Sequence, residues 1–300
     1  MYTHKLLLTK YSLLFYYLIE EGIYLLILFT IFIVTILSII FYKGYRNTQQ
    51  VLVNNVFINS NDDTQINDDS FRVLQISDMH LENISISPSR LYSLLKDQPI
   101  DLIALTGDYL DRKRTIPKLL PYLKVFNKLD PKHGIYAVFG NHDYVLRDPD
   151  FMKLKQILDE NGCKTLINEN DVVWNNGKKI NIIGIDDFST KRSNVKKSYD
   201  GLSNGYNLVL THDPNIVLNL KDVPYDYLLS GHLHGGQIHW PKPYHLVKMG
   251  KIVRLNMIKG LHEFEGKLFY ISEGLGQTGV NIRLGSRPEI TLHHLTLNHA

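Results

Sequence analysis

Five short apolar runs in this 300-residue chain each end at once in polar side chains of the kinds a metal ion could use. RVLQIS (72–77) runs into Asp78-Met79-His80, DLIALT (101–106) into Gly107-Asp108, and IYAVF (135–139) into Gly140-Asn141-His142-Asp143. YNLVL (206–210) leads to Thr211-His212-Asp213, and YLL (227–229) to Ser230-Gly231-His232-Leu233-His234. Near-continuous apolar runs of this length read as strands covered on both faces. Helical spacing follows the first three, over Ser89–Lys96, over Pro117–Leu129 with Pro121 bending it or delaying its start, and over Phe151–Leu158. Further strands are expected at Ile180–Ile185, Leu268–Ile271 and Ile290–Leu297. The order predicts an α/β fold, with a parallel βαβαβ half followed by a half richer in strands. Ligands of such sheets bind outside the carboxyl ends of the strands, so the polar clusters are expected to converge there.

Asp78 and His80 are two residues apart, as are His232 and His234, and in extended backbone each pair points the same way. Gly107, Gly140 and Gly231 permit tight turns where backbone must approach closely. Carboxylate, imidazole and amide oxygen together suit Mn, Fe or Zn rather than Ca or Mg alone. Asp78, His80, Asp108, Asn141, His212, His232 and His234 are too many ligands for one ion and enough for two, if one carboxylate bridges. Two divalent cations beside two aspartates leave a positive site, which attracts phosphate. The single cysteine, Cys163, excludes an internal disulfide framework and a Cys-rich zinc site. A net charge of +3, of which residues 1–50 carry +2, gives no basic face for nucleic acid.

The set Asp78-x-His80, Gly107-Asp108, Gly140-Asn141-His142-Asp143, His212 and Gly231-His232-x-His234 resembles the signature of calcineurin-like metallophosphoesterases, from about Phe71 to the C-terminus. The resemblance implies a four-layer αββα sandwich with a binuclear metal site on one edge, and the ligand set makes Mn2+ the first expectation there, with Zn2+ or Fe as alternatives. It implies that Asp78, His80, Asp108 and His234 hold one ion, and that Asp108, Asn141, His212 and His232 hold the other, with Asp108 bridging. A metal-bridging hydroxide would attack phosphorus in line, His142 would stabilise the transition state or protonate the leaving oxygen, and Asp143 would orient His142. A scaffold without metal on the same fold is the rival reading. SDMHL, LTGDYLDR, FGNHDY, SGHLHGGQI and the tail YISEGLG…IRLGSRPEI look like a membrane-associated bacterial subgroup. That subgroup includes cell-envelope phosphodiesterases and a lipid A pathway enzyme that cleaves the pyrophosphate of UDP-2,3-diacylglucosamine.

Ile23–Tyr42 is 20 residues without charge, Pro or Gly, matching the roughly 30 Å hydrocarbon core of a bilayer. Residues 1–46 are therefore expected to form a single-pass anchor in the bacterial inner membrane, with 6–19 as an interfacial or weaker second segment. Lys43 and Arg46 lie closer to the span than Lys5 and Lys10, which favours the cytoplasmic side for the catalytic domain. Residues 47–70, rich in Asn, Asp, Gln and Ser, read as a polar linker, and 71–300 as the catalytic domain. The anchor suits a lipid-linked substrate and contact with membrane lipids.

Two other patterns carry less weight. Gly201-Leu-Ser203-Asn-Gly205 precedes a strand instead of joining strand to helix, unlike a serine-hydrolase elbow. Gly274-x-Gly276-x-x-Gly279 follows a strand but opens no helix, so it reads as a turn and not as a dinucleotide site. Arg112 with Lys113 and Arg114, the cluster Lys191, Arg192, Lys196 and Lys197, and Arg283 are candidate contacts for a diphosphate or anionic headgroups, Arg112 and Arg283 first among them. His239, Trp240 and Tyr244 are candidates for an apolar lip.

Overall fold

The computed structural model describes residues 2–58, 70–239 and 242–297, with the side chains of 2–14, 244 and 245 left aside. The acidic residues at 62, 63, 68 and 69 and Trp240 fall outside the described residues, as does the side chain of Tyr244. The chain divides into two units, Met1–Tyr45 and Arg46–Ala300.

The first unit is helical: α1 runs Tyr2–Thr48 without a break, so 6–19 and 23–42 share one helix. Every side chain from Phe15 to Ile39 is exposed. Thr30, Thr35 and Ser38 turn their hydroxyls back onto carbonyls four residues earlier, which hides polar groups that hydrocarbon would not solvate. Among the described residues, Phe15–Thr48 is the stretch long and apolar enough to cross a membrane.

The second unit holds twelve strands among the described residues. In chain order these are β1 (Leu52–Ile58), β2 (Phe71–Ile76), β3 (Leu102–Thr106), β4 (Ile135–Val138), β5 (Cys163–Thr165) and β6 (Glu169–Asn175). They continue with β7 (Lys178–Gly184), β8 (Tyr206–Leu210), β9 (Tyr227–Ser230), β10 (Gly260–Phe264), β11 (Lys267–Ile271) and β12 (Glu289–Leu295). They form two six-stranded sheets, ordered β1-β12-β2-β3-β4-β5 and β10-β11-β9-β8-β7-β6. β2, β3 and β4 pair in parallel in the first sheet, and β7, β8 and β9 in the second.

Three apolar layers hold the sheets in a sandwich. Val73, Leu102, Val138, Ile182, Leu208 and Leu229 fill the space between them. Outside the first sheet lie α2 (Pro88–Leu95), α3 (Leu119–Lys128) and α4 (Asp148–Glu160), burying Leu91, Leu123 and Leu158 against Leu74, Ile103 and Leu105. α2 starts at Ser87, whose hydroxyl accepts from the Arg90 amide, with Pro88 in the first turn. Outside the second sheet the helical layer is made of short turns, Pro214–Asn219, Tyr244–Lys248 and Lys251–Arg254, bringing Ile216, Leu246 and Ile252 onto Val209 and Leu228. This is the expected four-layer αββα arrangement.

Four strands, β1, β5, β6 and β10, lie where the sequence reading placed none. Residues 52–58, inside the stretch read as a linker, form β1 and pair in parallel with β12. LVNNVFI reads as polar because of its two asparagines, yet Asn54 donates to Glu289 Oε2 and Asn55 Oδ1 lies 2.9 Å from His294 Nε2. At the sheet edge, polar residues with such partners are as stable as apolar ones.

Candidate metal centre

β2, β3, β4, β8 and β9 end side by side across the two sheets, and the polar clusters of the sequence follow them. Backbone at these ends turns sharply. Asp78 (φ 49°), His80 (35°), Asp108 (55°), His232 (75°) and His234 (50°) all adopt the left-handed region. Asp78 and His80 therefore meet in one group through turns and not through the extended backbone expected, while His232 and His234 turn toward different groups. A left-handed non-glycine residue costs on the order of 1 kcal/mol or more, so these five residues are held there by what surrounds them. Gly140 and Gly231 make the close approach possible. A Cβ at Gly140 would lie 2.2 Å from Asp108 Oδ1, and one at Gly231 would lie 2.2 Å from Asp78 Oδ2.

Three groups of carboxylate and imidazole result, each with ligating atoms within 4.8 Å of one another: Asp78, His80 and His234; Asp108, His212 and His232; and His80, Asp111 and His142. Asp108 Oδ2 links the first two, 3.0 Å from His212 Nε2 and 3.6 Å from His80 Nε2. Asp78 Oδ1 lies 3.4 Å from His234 Nε2 and 4.0 Å from His212 Nε2. The His80 and His234 Nε2 atoms face each other at 3.1 Å, and His212 Nε2 faces His232 Nδ1 at 3.3 Å. Asn141 Oδ1 is buried with no hydrogen-bond partner, as is His234 Nδ1. Facing imidazole nitrogens and an orphaned buried amide oxygen are an expensive arrangement by themselves, and they fit a pair of divalent cations.

The backbone fixes these side chains. His212 Nδ1 meets the Thr106 carbonyl at 2.8 Å, leaving Nε2 for the centre. Ser77 donates to Asp78 Oδ2 at 2.6 Å, and the His232 amide donates to the same carboxylate at 3.1 Å.

Charge follows the geometry. Burial by itself would raise the Asp108 carboxyl, but the imidazoles of His212, His80 and His142 hold it well below the ordinary carboxylate range. Burial opposes protonation of His212, yet the neighbouring Asp108 charge raises it well above its usual value. His234 is pushed the other way, by burial first and then by its neighbours His80 and Arg283.

Two sequence expectations are corrected. Asp143 does not reach the His142 ring. Its buried carboxylate accepts the backbone amides of Asp108, Tyr109 and Gly140 at 2.9 Å each, tying the β3 and β4 ends together. Burial and the nearby Asp108 charge raise it to about 7. The carboxylate beside His142 is Asp111, which sequence reading passed over although it stands three residues after Asp108. Its Oδ1 lies 3.0 Å from Nδ1 of His142 and 3.0 Å from Nδ1 of His80. Burial opposes protonation of His142, but the Asp111 hydrogen bond and the Asp108 and Asp111 charges outweigh it and raise the imidazole to about 9. Glu82 holds the Asp111 loop by accepting the amides of Asp111 and Arg112 and the Thr115 hydroxyl. No signal in the sequence marks Glu82.

Arg283 is the second correction. It is fully buried, and its guanidinium donates to the carbonyls of His234, Glu273, Gly274, Gly276 and Arg287. A guanidinium so occupied anchors the tail and cannot meet a substrate. Arg112 stays exposed.

A family model of calcineurin-like phosphoesterases matches residues 71–236. The metallophosphoesterase YkoQ of Bacillus subtilis is 64% identical over 85% of this chain and 94% of its own length. The phosphodiesterase YaeI of Escherichia coli is 26% identical over 75% of this chain and 82% of its own. The UDP-2,3-diacylglucosamine pyrophosphatase LpxG of Chlamydia trachomatis is 28% identical over 74% and 82%.

Proposed function

The chain belongs to the calcineurin-like phosphoesterase family, a family of metal-dependent hydrolases, and from that premise we propose a membrane-anchored enzyme that cleaves a phosphodiester or pyrophosphate bond in a lipid-linked substrate. The observation that carries this reading is the convergence of the first two carboxylate–imidazole groups on Asp108. Asp78, His80, Asp108 and His234 would hold one cation, and Asp108, Asn141, His212 and His232 the other, Mn2+ being the first choice. When bound, the cation pair supplies positive charge to a phosphoryl group and to the water that attacks it.

The chain's own residues do the rest. Asp111 accepts from His142 Nδ1, which fixes the ring and stabilises its cation. His142 Nε2 is then free to donate a proton to a leaving oxygen. Asp143 locks the Asp108 and Gly140 turns, so that bridging carboxylate and proton donor keep their separation.

The apolar helix Phe15–Thr48 supports an anchor in the inner membrane, with the catalytic unit on the cytoplasmic side. An anchored enzyme and a relative named for UDP-2,3-diacylglucosamine make that compound, or one of its chemistry, the preferred substrate. A relative named as a phosphodiesterase favours the second reading, a general envelope phosphodiesterase.

Detergent-purified protein with Mn2+ is expected to hydrolyse bis-p-nitrophenyl phosphate, and to lose that turnover in Asn141→Ala and His142→Ala. Absence of turnover with every divalent metal would overturn the enzyme and favour the scaffold. Incubation with UDP-2,3-diacylglucosamine is expected to release UMP by mass analysis, and unchanged substrate would leave the second reading. A C-terminal reporter active only outside the cytoplasm would also count against the nucleotide-lipid assignment.

A further inference from the structure

The candidate metal centre straddles the two sheets. β2 and β3 of the first sheet lead to Asp78, His80 and Asp108, and β8 and β9 of the second lead to His212, His232 and His234. Each of the two carboxylate–imidazole groups that meet at Asp108 draws on both sheets. The spacing of the sheets at this edge is therefore the spacing of the ligands.

A chain of polar side chains lies within the apolar layer between the sheets. Phe71 and Val73 of β2 face that layer, and Gln75, next in the strand's alternation, reaches across it. Gln75, Thr106, Tyr227, Ser230 and His293 are all buried. Gln75 Nε2 lies 2.9 Å from the Ser230 carbonyl in the second sheet and 3.0 Å from the Thr106 hydroxyl in the first. A carbonyl only accepts, so the amide nitrogen donates there and the orientation of the amide is set. Gln75 Oε1 then faces His293 Nε2 at 3.0 Å, which donates, and His293 Nδ1 accepts from the Tyr227 hydroxyl at 3.0 Å. Burial, helped by the neighbouring His294, lowers the His293 imidazole to about 3, so it stays neutral in this role. Gln75 and His293 belong to β2 and β12, and Tyr227 and Ser230 to β9, so the chain crosses between the sheets at both of its ends.

Its place along the strands is specific. Gln75 stands three residues before Asp78, Thr106 two before Asp108, and Ser230 two before His232. One side-chain amide thus joins the roots of three ligand-bearing turns. Apolar side chains of similar volume would fill this space at little loss of stability, because a fully paired buried network nets little against hydrophobic packing. They would not fix direction. Apolar packing tolerates small shifts of one sheet against the other, whereas hydrogen bonds hold only within a narrow range of distance and angle.

We propose, resting on the phosphohydrolase reading above, that Gln75, His293 and Tyr227 form a positioning brace that sets the separation of the ligands from the two sheets, and with it the affinity for the cations. The brace acts through Thr106 and Ser230 on the turns that carry Asp108 and His232.

The test uses the full chain in detergent. Gln75→Met with His293→Leu and Tyr227→Phe replaces the chain by apolar side chains of similar size, and the Ser230 carbonyl keeps the Ser272 amide. The metal-free Tm is expected to stay within about 5 °C of that of the unaltered chain. The Kd for Mn2+ by titration calorimetry is expected to rise about tenfold, and kcat on bis-p-nitrophenyl phosphate to fall about tenfold with KM changed little. An unchanged Kd, whatever the Tm, would make the chain a packing feature and overturn the brace. Should the triple variant not fold, Tyr227→Phe alone, which removes one hydroxyl, is expected to raise the Kd about threefold. An unchanged Kd in that variant overturns the brace equally. If the unaltered chain binds Mn2+ yet turns over no reporter, the phosphohydrolase reading has failed, and the brace is judged by the Kd values alone.

Discussion

Asp111 Oδ1 lies 3.0 Å from His142 Nδ1, which makes the ring's proton on that nitrogen a fixed feature of the site. Asp111→Asn keeps the shape and removes the charge. It is expected to lower kcat on bis-p-nitrophenyl phosphate about 10–100-fold, with KM changed little. The Asp111 charge helps to raise His142, so its loss lets the imidazole deprotonate at lower pH. The alkaline limb of the pH–rate profile is therefore expected to move to lower pH in the variant. An unmoved limb would assign Asp111 a packing role.

Metal binding is expected to stabilise the fold. The facing imidazoles and the orphaned Asn141 oxygen are costly without a cation. An ion at a hundredfold excess over its Kd adds about 2.7 kcal/mol. For a domain of this size that is about 5–10 °C in Tm. Thermal melts with Mn2+ and with chelator measure it, and Asp108→Asn is expected to lose most of the difference.

Arg283→Met separates anchoring from substrate contact. Its loss leaves the Glu273, Gly276 and Arg287 carbonyls without the donor they have, while those of His234 and Gly274 keep a backbone amide, at a cost of about 3 kcal/mol. Tm is expected to fall by several degrees, on the scale of about 2–4 °C per kcal/mol, while the KM of the fraction that remains folded stays near that of the unaltered chain. A raised KM with an unchanged Tm would return Arg283 to the substrate.

Glu289 sets a pH dependence independent of the metals. Burial, outweighing the hydrogen bonds from the Glu273 amide, Ser272 and Tyr270, raises its carboxyl from 4.5 to about 7. The folded protein therefore holds this proton more tightly than the unfolded chain does. That stabilisation is complete below pH about 4.5 and is lost as pH rises through about 7, a change of about 3 kcal/mol. Glu289→Gln is expected to flatten the loss, so that its stability relative to the unaltered chain rises between pH 5 and pH 8 in chemical denaturation.

The parts of the site that begin where a strand ends were legible in the sequence, because an apolar run followed by Asp, His or Asn changes character in one step. Asp111 was not, since it sits in a loop among exposed charges and acquires meaning only when His80 and His142 close around it. Arg283 misled for the converse reason. Sequence marks a guanidinium as a surface charge, and only the fold shows the carbonyls that surround it. β1 escaped because an edge strand can carry Asn54 and Asn55 when its neighbour supplies partners. The αββα layering was implied by resemblance, and the alternation of elements alone reached only as far as a parallel first half.

Five of the seven candidate ligands bend the main chain into the left-handed region. Glycine would sit there more comfortably, so purpose and comfort are opposed at each of these positions. A glycine in place of Asp78 would ease the turn yet strand the Ser77 hydroxyl and the His232 amide, so the contacts that hold the bend are the ones that aim the ligand.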